Sequence, residues 1–289
     1  MTVRALLLVI VLAVAACGSS PATPVSSTVT IELDSRPFRL HVPTTVDGKA
    51  PLVVLLHGYT SSAAEQEDYF QLTAESDRRG FLYAMPDGTV NQQSKRFWNA
   101  TPACCDFFNS GVDDSTYLLR LIDAVAAKYP VDPARVYFVG HSNGGFMALR
   151  MACEHADRVT AVASLAGAAT ADPAQCRPAR PVSVLQIHGT SDRTIFYEGT
   201  DTAGRKYPSA EGTVAMWRGL DGCASRADTS APPIDLDSGL AGAETTVSAW
   251  HEGCAGGTRA ELWSIKDGSH IPALTPTFAT AVVDFLLAR

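Results

Sequence analysis

One serine of this sequence lies in a setting that suits nucleophilic chemistry. Ser142 is the centre of Gly-His-Ser-Asn-Gly at positions 140–144, a match to the pattern G-x-S-x-G. Residues 136–139 read as a buried parallel strand, and residues 146–156 have the composition and spacing of a helix. A strand, a tight turn and a helix together form a nucleophile elbow, in which glycines flank the serine because a Cβ there would collide with strand or helix. We therefore predict Ser142 as a nucleophile; the alternative is an ordinary glycine-rich turn.

A serine hydroxyl attacks a carbonyl efficiently only with a base and a carboxylate that orients the base. With an elbow of this kind, the acid and then the histidine follow the serine along the chain. Asp192 lies just past the carboxyl end of the predicted apolar strand at 182–187, and parallel strands end at the edge where Ser142 lies. His270 is the predicted base, because it lies in a turn-rich loop; His251 is the alternative. The earlier histidines are predicted to be structural: His41, His57, His141, His155 and His188.

The negative charge that develops on a carbonyl oxygen needs hydrogen-bond donors. We predict the backbone N–H of Asn143 as one donor and that of Tyr59, in the turn after the strand at 51–56, as the other. Trp98 lies in a long segment without periodicity, residues 89–111, and such segments commonly cover or form a site. Trp98 and Tyr59 are predicted to line a substrate groove, with an anchoring role for Trp98 as the alternative.

Apolar strands alternate with amphipathic helices along the rest of the chain. This order predicts an α/β fold with a parallel-dominated central sheet and helices on both faces, formed by a single domain at 28–289. An antiparallel hairpin at 28–42 and one helix over 63–79 are expected near its start. Hydrophobic residues make up 46% of the chain, which suffices for a large core, and the net charge of −7 argues against a nucleic-acid partner.

The amino terminus reads as an export signal. Arg4 is followed by an apolar run that is too short to span a membrane, so residues 1–16 are predicted to be a signal peptide. Val-Ala-Ala-Cys at 14–17 resembles a bacterial lipobox, which predicts lipidation of Cys17, a flexible tether at 17–27 and a membrane anchor through lipid alone. Soluble secretion is the alternative. Both interpretations place the protein outside the cytoplasm. We also expect it to be a monomer.

The six cysteines beyond Cys17 suggest disulfides in an exported chain. Locality favours Cys153–Cys176 and Cys223–Cys254, which leaves Cys104 and Cys105 as a vicinal disulfide or as free thiols. Their spacing contains no pattern typical of a zinc site, so no metal is expected.

Several motifs occur in an order that resembles the polyhydroxybutyrate depolymerase and feruloyl esterase family. They are LLHGYTSSAAEQ, FLYAMPDGT, FWNATPACC, GVDD, VGHSNGGF, IHGTSD and DGSH, spread over about residues 30–289. The resemblance implies an exported serine esterase of α/β-hydrolase fold, with Ser142, Asp192 and His270 as its triad and no cofactor. Relatives commonly carry Gly-x-Gly-His-x-Trp-Pro at the histidine, whereas this chain has Asp-Gly-Ser-His-Ile-Pro-Ala at 267–273, so no tryptophan contact is carried over.

The implied reaction is acyl transfer in two steps, through an acyl-enzyme that water hydrolyses. Its expected substrates are polyesters of the hydroxybutyrate type or feruloyl and acetyl esters of plant polysaccharides. Esters are favoured over peptides because no peptide-recognition feature is evident in the sequence. The alternative outside the hydrolases is a surface-tethered binding lipoprotein on an inactive hydrolase scaffold.

Overall fold

The computed structural model describes residues 25–44, 46 and 48–288, and its centre is a nine-stranded sheet. The strands of the described chain are β1 (Ser27–Ile31), β2 (Phe38–Val42), β3 (Ala50–Leu56), β4 (Leu82–Met85), β5 (Thr89–Val90), β6 (Arg96–Phe97), β7 (Val131–His141), β8 (Ala161–Leu165), β9 (Ser183–Gly189), β10 (Thr245–Trp250) and β11 (Ala260–Ile265). Across the large sheet they lie in the order β1-β2-β4-β3-β7-β8-β9-β11-β10, while β5 and β6 pair separately.

Most neighbouring strands of the large sheet run parallel. β3 pairs in parallel with β4 and β7, and parallel pairing continues through β8, β9 and β11. The outer pairs β1–β2, β2–β4 and β10–β11 are antiparallel. Every residue of β3, β4 and β8 is buried, as expected of strands that are covered on both faces. The predicted parallel-dominated α/β sheet is therefore confirmed.

Helices cover both faces of this sheet. They are α1 (Ala63–Phe70), α2 (Thr73–Arg79), α3 (Asp114–Ala126), α4 (Asn143–Glu154), α5 (Ala210–Leu220) and α6 (Thr277–Leu287). Leu52, Val54 and Leu56 of β3 belong to the apolar cluster that contains side chains of α3 and α4. Val53 and Leu55 belong to the cluster that contains side chains of α1 and α6. Successive side chains of a strand point to opposite faces, so this one strand contributes to both halves of the core.

The single helix expected over 63–79 is two helices, and that prediction is wrong. Gln71 has a left-handed backbone with φ 54°, which ends α1. The carboxylate of Glu67 accepts hydrogen bonds from the N–H groups of Leu72 and Thr73 at 3.3 and 2.9 Å. It also accepts one from the hydroxyl of Tyr83 at 2.5 Å. The Glu67 carboxylate of α1, which Tyr83 of β4 holds in place, thus supplies acceptors for the first N–H groups of α2. The helical periodicity of the sequence does not reveal this contact.

Three disulfides cross-link the described chain: Cys104–Cys105, Cys153–Cys176 and Cys223–Cys254. Cys153 lies in the last turn of α4, so its bond ties that helix to the 3-10 turn at Pro173–Gln175. The two pairings that locality favoured are present, and Cys104 and Cys105 are joined to each other.

The predicted signal peptide at 1–16 and the predicted lipidation of Cys17 lie outside the described residues. The tether was expected to reach residue 27, but β1 already begins at Ser27 because that residue pairs with Val42. Within the described ranges, no helix combines the length and the apolar character that crossing a bilayer requires.

Gly144→Ala is expected to destabilise the fold. A Cβ at position 144 would lie 2.0 Å from the carbonyl oxygen of Leu56 in β3. Neither backbone can shift without disturbing the sheet, so the free energy of unfolding should fall by about 3 kcal/mol or more. Urea unfolding of the purified variant measures this loss.

Gly219→Ala is the matched control for that variant. Gly219 lies in α5, and apart from its chain neighbours and its own helix backbone no atom lies within 4 Å of the added Cβ. The change should therefore be neutral or stabilise by about 0.5–1 kcal/mol. A Gly144→Ala variant as stable as the control would contradict the close approach of β3 and the elbow.

Candidate active site

The turn between β7 and α4 holds Ser142 in a strained backbone conformation. Its φ of 53° and ψ of −119° are rarely adopted by a residue with a side chain. A Cβ at Gly140 would lie 2.3 Å from the backbone of Gly144, and one at Gly144 would collide with Leu56. The Ser142 N–H donates to the carbonyl of Leu165 at 2.7 Å, which ties the turn to β8. The two glycines of the motif therefore let β7 reverse into α4 with the serine at the apex.

The structure brings Ser142, His270 and Asp192 into one chain of hydrogen bonds. His270 Nε2 lies 3.0 Å from Ser142 Oγ, and His270 Nδ1 lies 2.7 Å from Asp192 Oδ2. A carboxylate accepts the proton on Nδ1, which leaves Nε2 free to accept the serine proton. Ser142 and Asp192 are buried, and the His270 side chain is 14% exposed. These are the three residues that the sequence analysis singled out.

Asp192 is held as a carboxylate by the groups around it. Burial alone would raise its pKa, but hydrogen bonds from His188 and His270 and the charge of His270 bring that pKa below the ordinary value. The N–H groups of Thr194 and Ile195 donate to Oδ1 at 2.8 and 3.0 Å. Every oxygen of this buried carboxyl thus has donors, and the group stays ionised at neutral pH.

His188 and Gln186 support Asp192 from inside β9, a role that sequence reasoning missed. The Gln186 amide donates to the carbonyl of Gly167 at 2.8 Å and lies 3.1 Å from His188 Nδ1. That ring nitrogen therefore accepts, and the proton of His188 is on Nε2. Nε2 lies 2.8 Å from the carbonyl oxygen of Ile195 and 3.3 Å from Asp192 Oδ2. The sequence does contain a signal for this pair, because Gln186 and His188 are two residues apart in a strand and therefore point to the same face of the sheet.

His141 positions the loop that carries His270. Burial and the neighbouring His270 lower the pKa of His141 to about 4, so its ring is neutral at physiological pH. His141 Nε2 lies 2.9 Å from the backbone carbonyl of His270, and the neutral ring donates its proton to that oxygen. Tyr69 packs against the His141 ring edge-on and donates its hydroxyl to the carbonyl of Pro272 at 2.8 Å. The residue next to Ser142 therefore holds the backbone of His270, the predicted base.

The predicted oxyanion donors lie on the two segments that flank Ser142. Asn143 is the first residue of α4, and Tyr59 follows the His57-Gly58 turn after β3. His57 holds this turn in place: its Nε2 accepts the N–H of Gly88 at 2.8 Å, and its Nδ1–H donates to the carbonyl of Gly58 at 2.7 Å. Neither the Tyr59 N–H nor the Asn143 N–H has an acceptor within the part of the chain that the structure describes.

The structure places Trp98 in the scaffold, which corrects the prediction that it lines the groove. Its side chain is 0% exposed, and its indole N–H donates to the carbonyl of His57 at 3.1 Å. The Asn143 side chain accepts from the Trp98 N–H at 2.7 Å and donates to the Trp98 carbonyl at 2.8 Å. Trp98 therefore joins the turn after β3 to the start of α4, as the anchoring alternative proposed.

A cavity of about 330 Å³ opens on Ser142. Tyr59 and Phe107 form part of its wall, with their rings edge to face at 5.2 Å between centroids, and Ile195 and the Cys104–Cys105 disulfide form another part. Another cavity, of about 400 Å³, is lined by α4 and α5 residues and does not include the serine. His251, the alternative base, is largely exposed and lines neither of these two cavities.

The pKa of His141 predicts a pH-dependent stability. An unfolded histidine with a pKa near 6.5 takes up a proton as pH falls, whereas the folded ring stays neutral down to about 4. The unfolded state then binds more protons over this window, so His141 makes the folded protein less stable as the pH falls through it. His141→Gln keeps an N–H donor and binds no proton. Its loss of stability over that window should be smaller by up to about 3 kcal/mol.

Urea unfolding of the wild type and His141→Gln across that pH range measures the difference. The other titrating groups are common to both proteins, so the contributions of those that do not interact with His141 cancel in the comparison. Equal losses of stability would contradict a neutral, buried His141.

Comparison with known proteins agrees with this architecture. Residues 51–228 match the family described as alpha/beta hydrolase fold. The chain is 28% identical over 234 residues to feruloyl esterase B of Piromyces equi, covering 78% of this chain and 40% of that protein. It is 30% identical over 218 residues to poly(3-hydroxyalkanoate) depolymerase C of Paucimonas lemoignei, covering 73% of this chain and 49% of that protein. The chain thus spans less than half the length of these two relatives.

A solved structure shows the same fold. The acetyl xylan esterase from Aspergillus awamori superposes with a TM-score of 0.62 at 15% identity, over 90% of this chain and 98% of that one. The resemblance to polyhydroxybutyrate depolymerases and feruloyl esterases that the motifs predicted is confirmed, and the chain belongs to the α/β-hydrolase family.

Proposed function

We propose that this protein is a serine carboxylic-ester hydrolase. The observation that carries the proposal is the hydrogen-bonded chain from Asp192 through His270 to Ser142. The names of its relatives, feruloyl esterase and poly(3-hydroxyalkanoate) depolymerase, support ester bonds as the target. Residues 28–289 would form a single catalytic domain.

The geometry supports a two-step mechanism. Ser142 Oγ attacks the ester carbonyl while His270 Nε2 takes its proton, and the ionised Asp192 stabilises the imidazolium that results. The N–H groups of Tyr59 and Asn143 donate to the oxygen as it becomes negative. His270 then gives its proton to the departing alcohol. Water hydrolyses the acyl-enzyme by the same route in reverse, and no step calls for a cofactor.

The substrates proposed are polyesters of the hydroxybutyrate type or feruloyl and acetyl esters of plant polysaccharides. The relatives' names support the polyester and feruloyl-ester classes, and acetyl esters are proposed from the sequence motifs. The cavity on Ser142 is consistent with these classes because its wall is largely apolar. Phe107 on this wall is 53% exposed, so an apolar group can reach it from solvent. Both polyesters and polysaccharide esters are proposed, because a feruloyl esterase and a poly(3-hydroxyalkanoate) depolymerase both occur among the relatives.

The enzyme is proposed to work outside the cytoplasm. Three disulfides support this, because such bonds persist in oxidising compartments and are rare in the cytosol of mesophiles. We also propose that the protein is a monomer and that lipid on Cys17 attaches it to the membrane.

Ser142→Ala and Asp192→Asn test the mechanism. Both should lower kcat on short-chain p-nitrophenyl esters by about 10⁴-fold or more, the first by removing the nucleophile and the second by favouring the wrong tautomer of His270. Ser230→Ala, at an exposed loop position, is the control and should keep wild-type activity.

Turnover that survives in Ser142→Ala would overturn the triad. A folded wild type that turns over no ester would favour the alternative of a binding lipoprotein on an inactive scaffold. Comparison of methyl ferulate, acetylated xylan and hydroxybutyrate oligomers then ranks the proposed substrates by kcat/KM.

A further inference from the structure

The cavity that opens on Ser142 contains one charged side chain, Arg205. The remaining wall is mostly apolar, with Phe107, Ile195 and the Cys104–Cys105 disulfide as its larger parts. Arg205 is exposed, so its guanidinium lies where the cavity meets solvent. A substrate group that extends from the serine along this wall therefore meets a cation at the opening.

Backbone contacts hold Arg205 in place. The residue lies in a turn closed by reciprocal hydrogen bonds between Thr200 and Tyr207, each at 3.0 Å. Tyr207 is buried, and its hydroxyl accepts the N–H of Phe196 at 3.0 Å. Arg205 Nη2 reaches the carbonyl of Thr194 at 3.4 Å, beside the turn that donates to Asp192. The guanidinium thus contacts Thr194, whose N–H donates to Asp192, the proposed acid of the triad.

Arg205 has no acidic partner within the described ranges. It forms no ion pair there, and Asp201 of the same turn pairs with Lys206 at 2.8 Å. The Arg205 guanidinium therefore lies at the opening of the cavity without a carboxylate of the described chain to neutralise it. A guanidinium is a planar array of donors that matches a carboxylate in geometry and charge.

We propose that Arg205 determines specificity by binding a carboxylate on the substrate. The preferred substrates would be esters that carry a free carboxylate beyond an apolar chain, such as half-esters of dicarboxylic acids or acid-terminated oligoesters. The inference rests on the proposed esterase function and adds to it the charge of the substrate. Arg205 acts on binding and contributes no step to acyl transfer.

Two methyl esters with the same carbon chain test the inference, monomethyl adipate and methyl hexanoate, with hydrolysis followed by pH-stat titration. Arg205→Gln should lower kcat/KM for monomethyl adipate about tenfold, chiefly through KM, and leave methyl hexanoate within about twofold. Arg205→Lys should recover part of the loss. Added salt should shrink the difference, because an exposed charge pair is screened.

Arg177→Gln is the matched control, because Arg177 is also exposed and is held by one backbone carbonyl, that of Ala174. It removes the same charge away from the cavity and should change neither ester. Equal losses on both esters in Arg205→Gln, or no loss on either, would overturn the inference.

Binding separates this inference from the proposed function. Calorimetric titration of monomethyl adipate into Ser142→Ala needs no turnover, and adding Arg205→Gln should weaken that binding about tenfold. Unchanged binding would overturn the role of Arg205 even in an active esterase. If the wild type hydrolyses neither ester while Arg205→Gln still weakens the binding of monomethyl adipate, the role of Arg205 is upheld and the proposed esterase function is rejected.

Discussion

The hydrogen bond between Asp192 and His270 is the interaction on which the rest of the site depends. Its 2.7 Å length joins the turn after β9 to the loop after β11, two segments 78 residues apart in the chain. β9 and β11 are parallel neighbours, so both segments leave the sheet at the same edge. The bond fixes the tautomer of His270, and without it the Nε2 atom would have no defined role towards Ser142. Much of the nearby polar structure serves to hold this one contact.

The supporting contacts form two groups, one behind each partner. His188 and two backbone N–H groups keep Asp192 ionised, while His141 holds the backbone of His270 by its carbonyl oxygen. On the other side of Ser142, the buried Trp98 links the turn after β3 to the start of α4 through Asn143. A buried polar group without a partner costs stability, so these contacts favour one arrangement of the loops over others.

Much of the site could be predicted from the sequence because its chemistry depends on local patterns. A strand, a glycine-flanked serine and a helix identify Ser142, and chain order then leads to Asp192 and His270. What could not be predicted depends on contacts between distant segments. The helix divides at Gln71 because the Glu67 carboxylate, held by Tyr83 of β4, accepts from the start of the second helix. Trp98 is held in the scaffold by the side-chain amide of Asn143 in α4. Arg205 reaches the cavity from a turn that carries no motif.

Covalent labelling tests the central claim most directly, because a serine that is activated by its neighbours reacts with an organophosphate far faster than an ordinary serine. The wild-type protein would be treated with diethyl p-nitrophenyl phosphate, and its peptides would be analysed by mass spectrometry. The account predicts one diethylphosphoryl group, on the peptide that contains Ser142, with loss of esterase activity in proportion to labelling. Ester hydrolysis that persists in fully labelled protein, or labelling of a different serine with loss of activity, would contradict it.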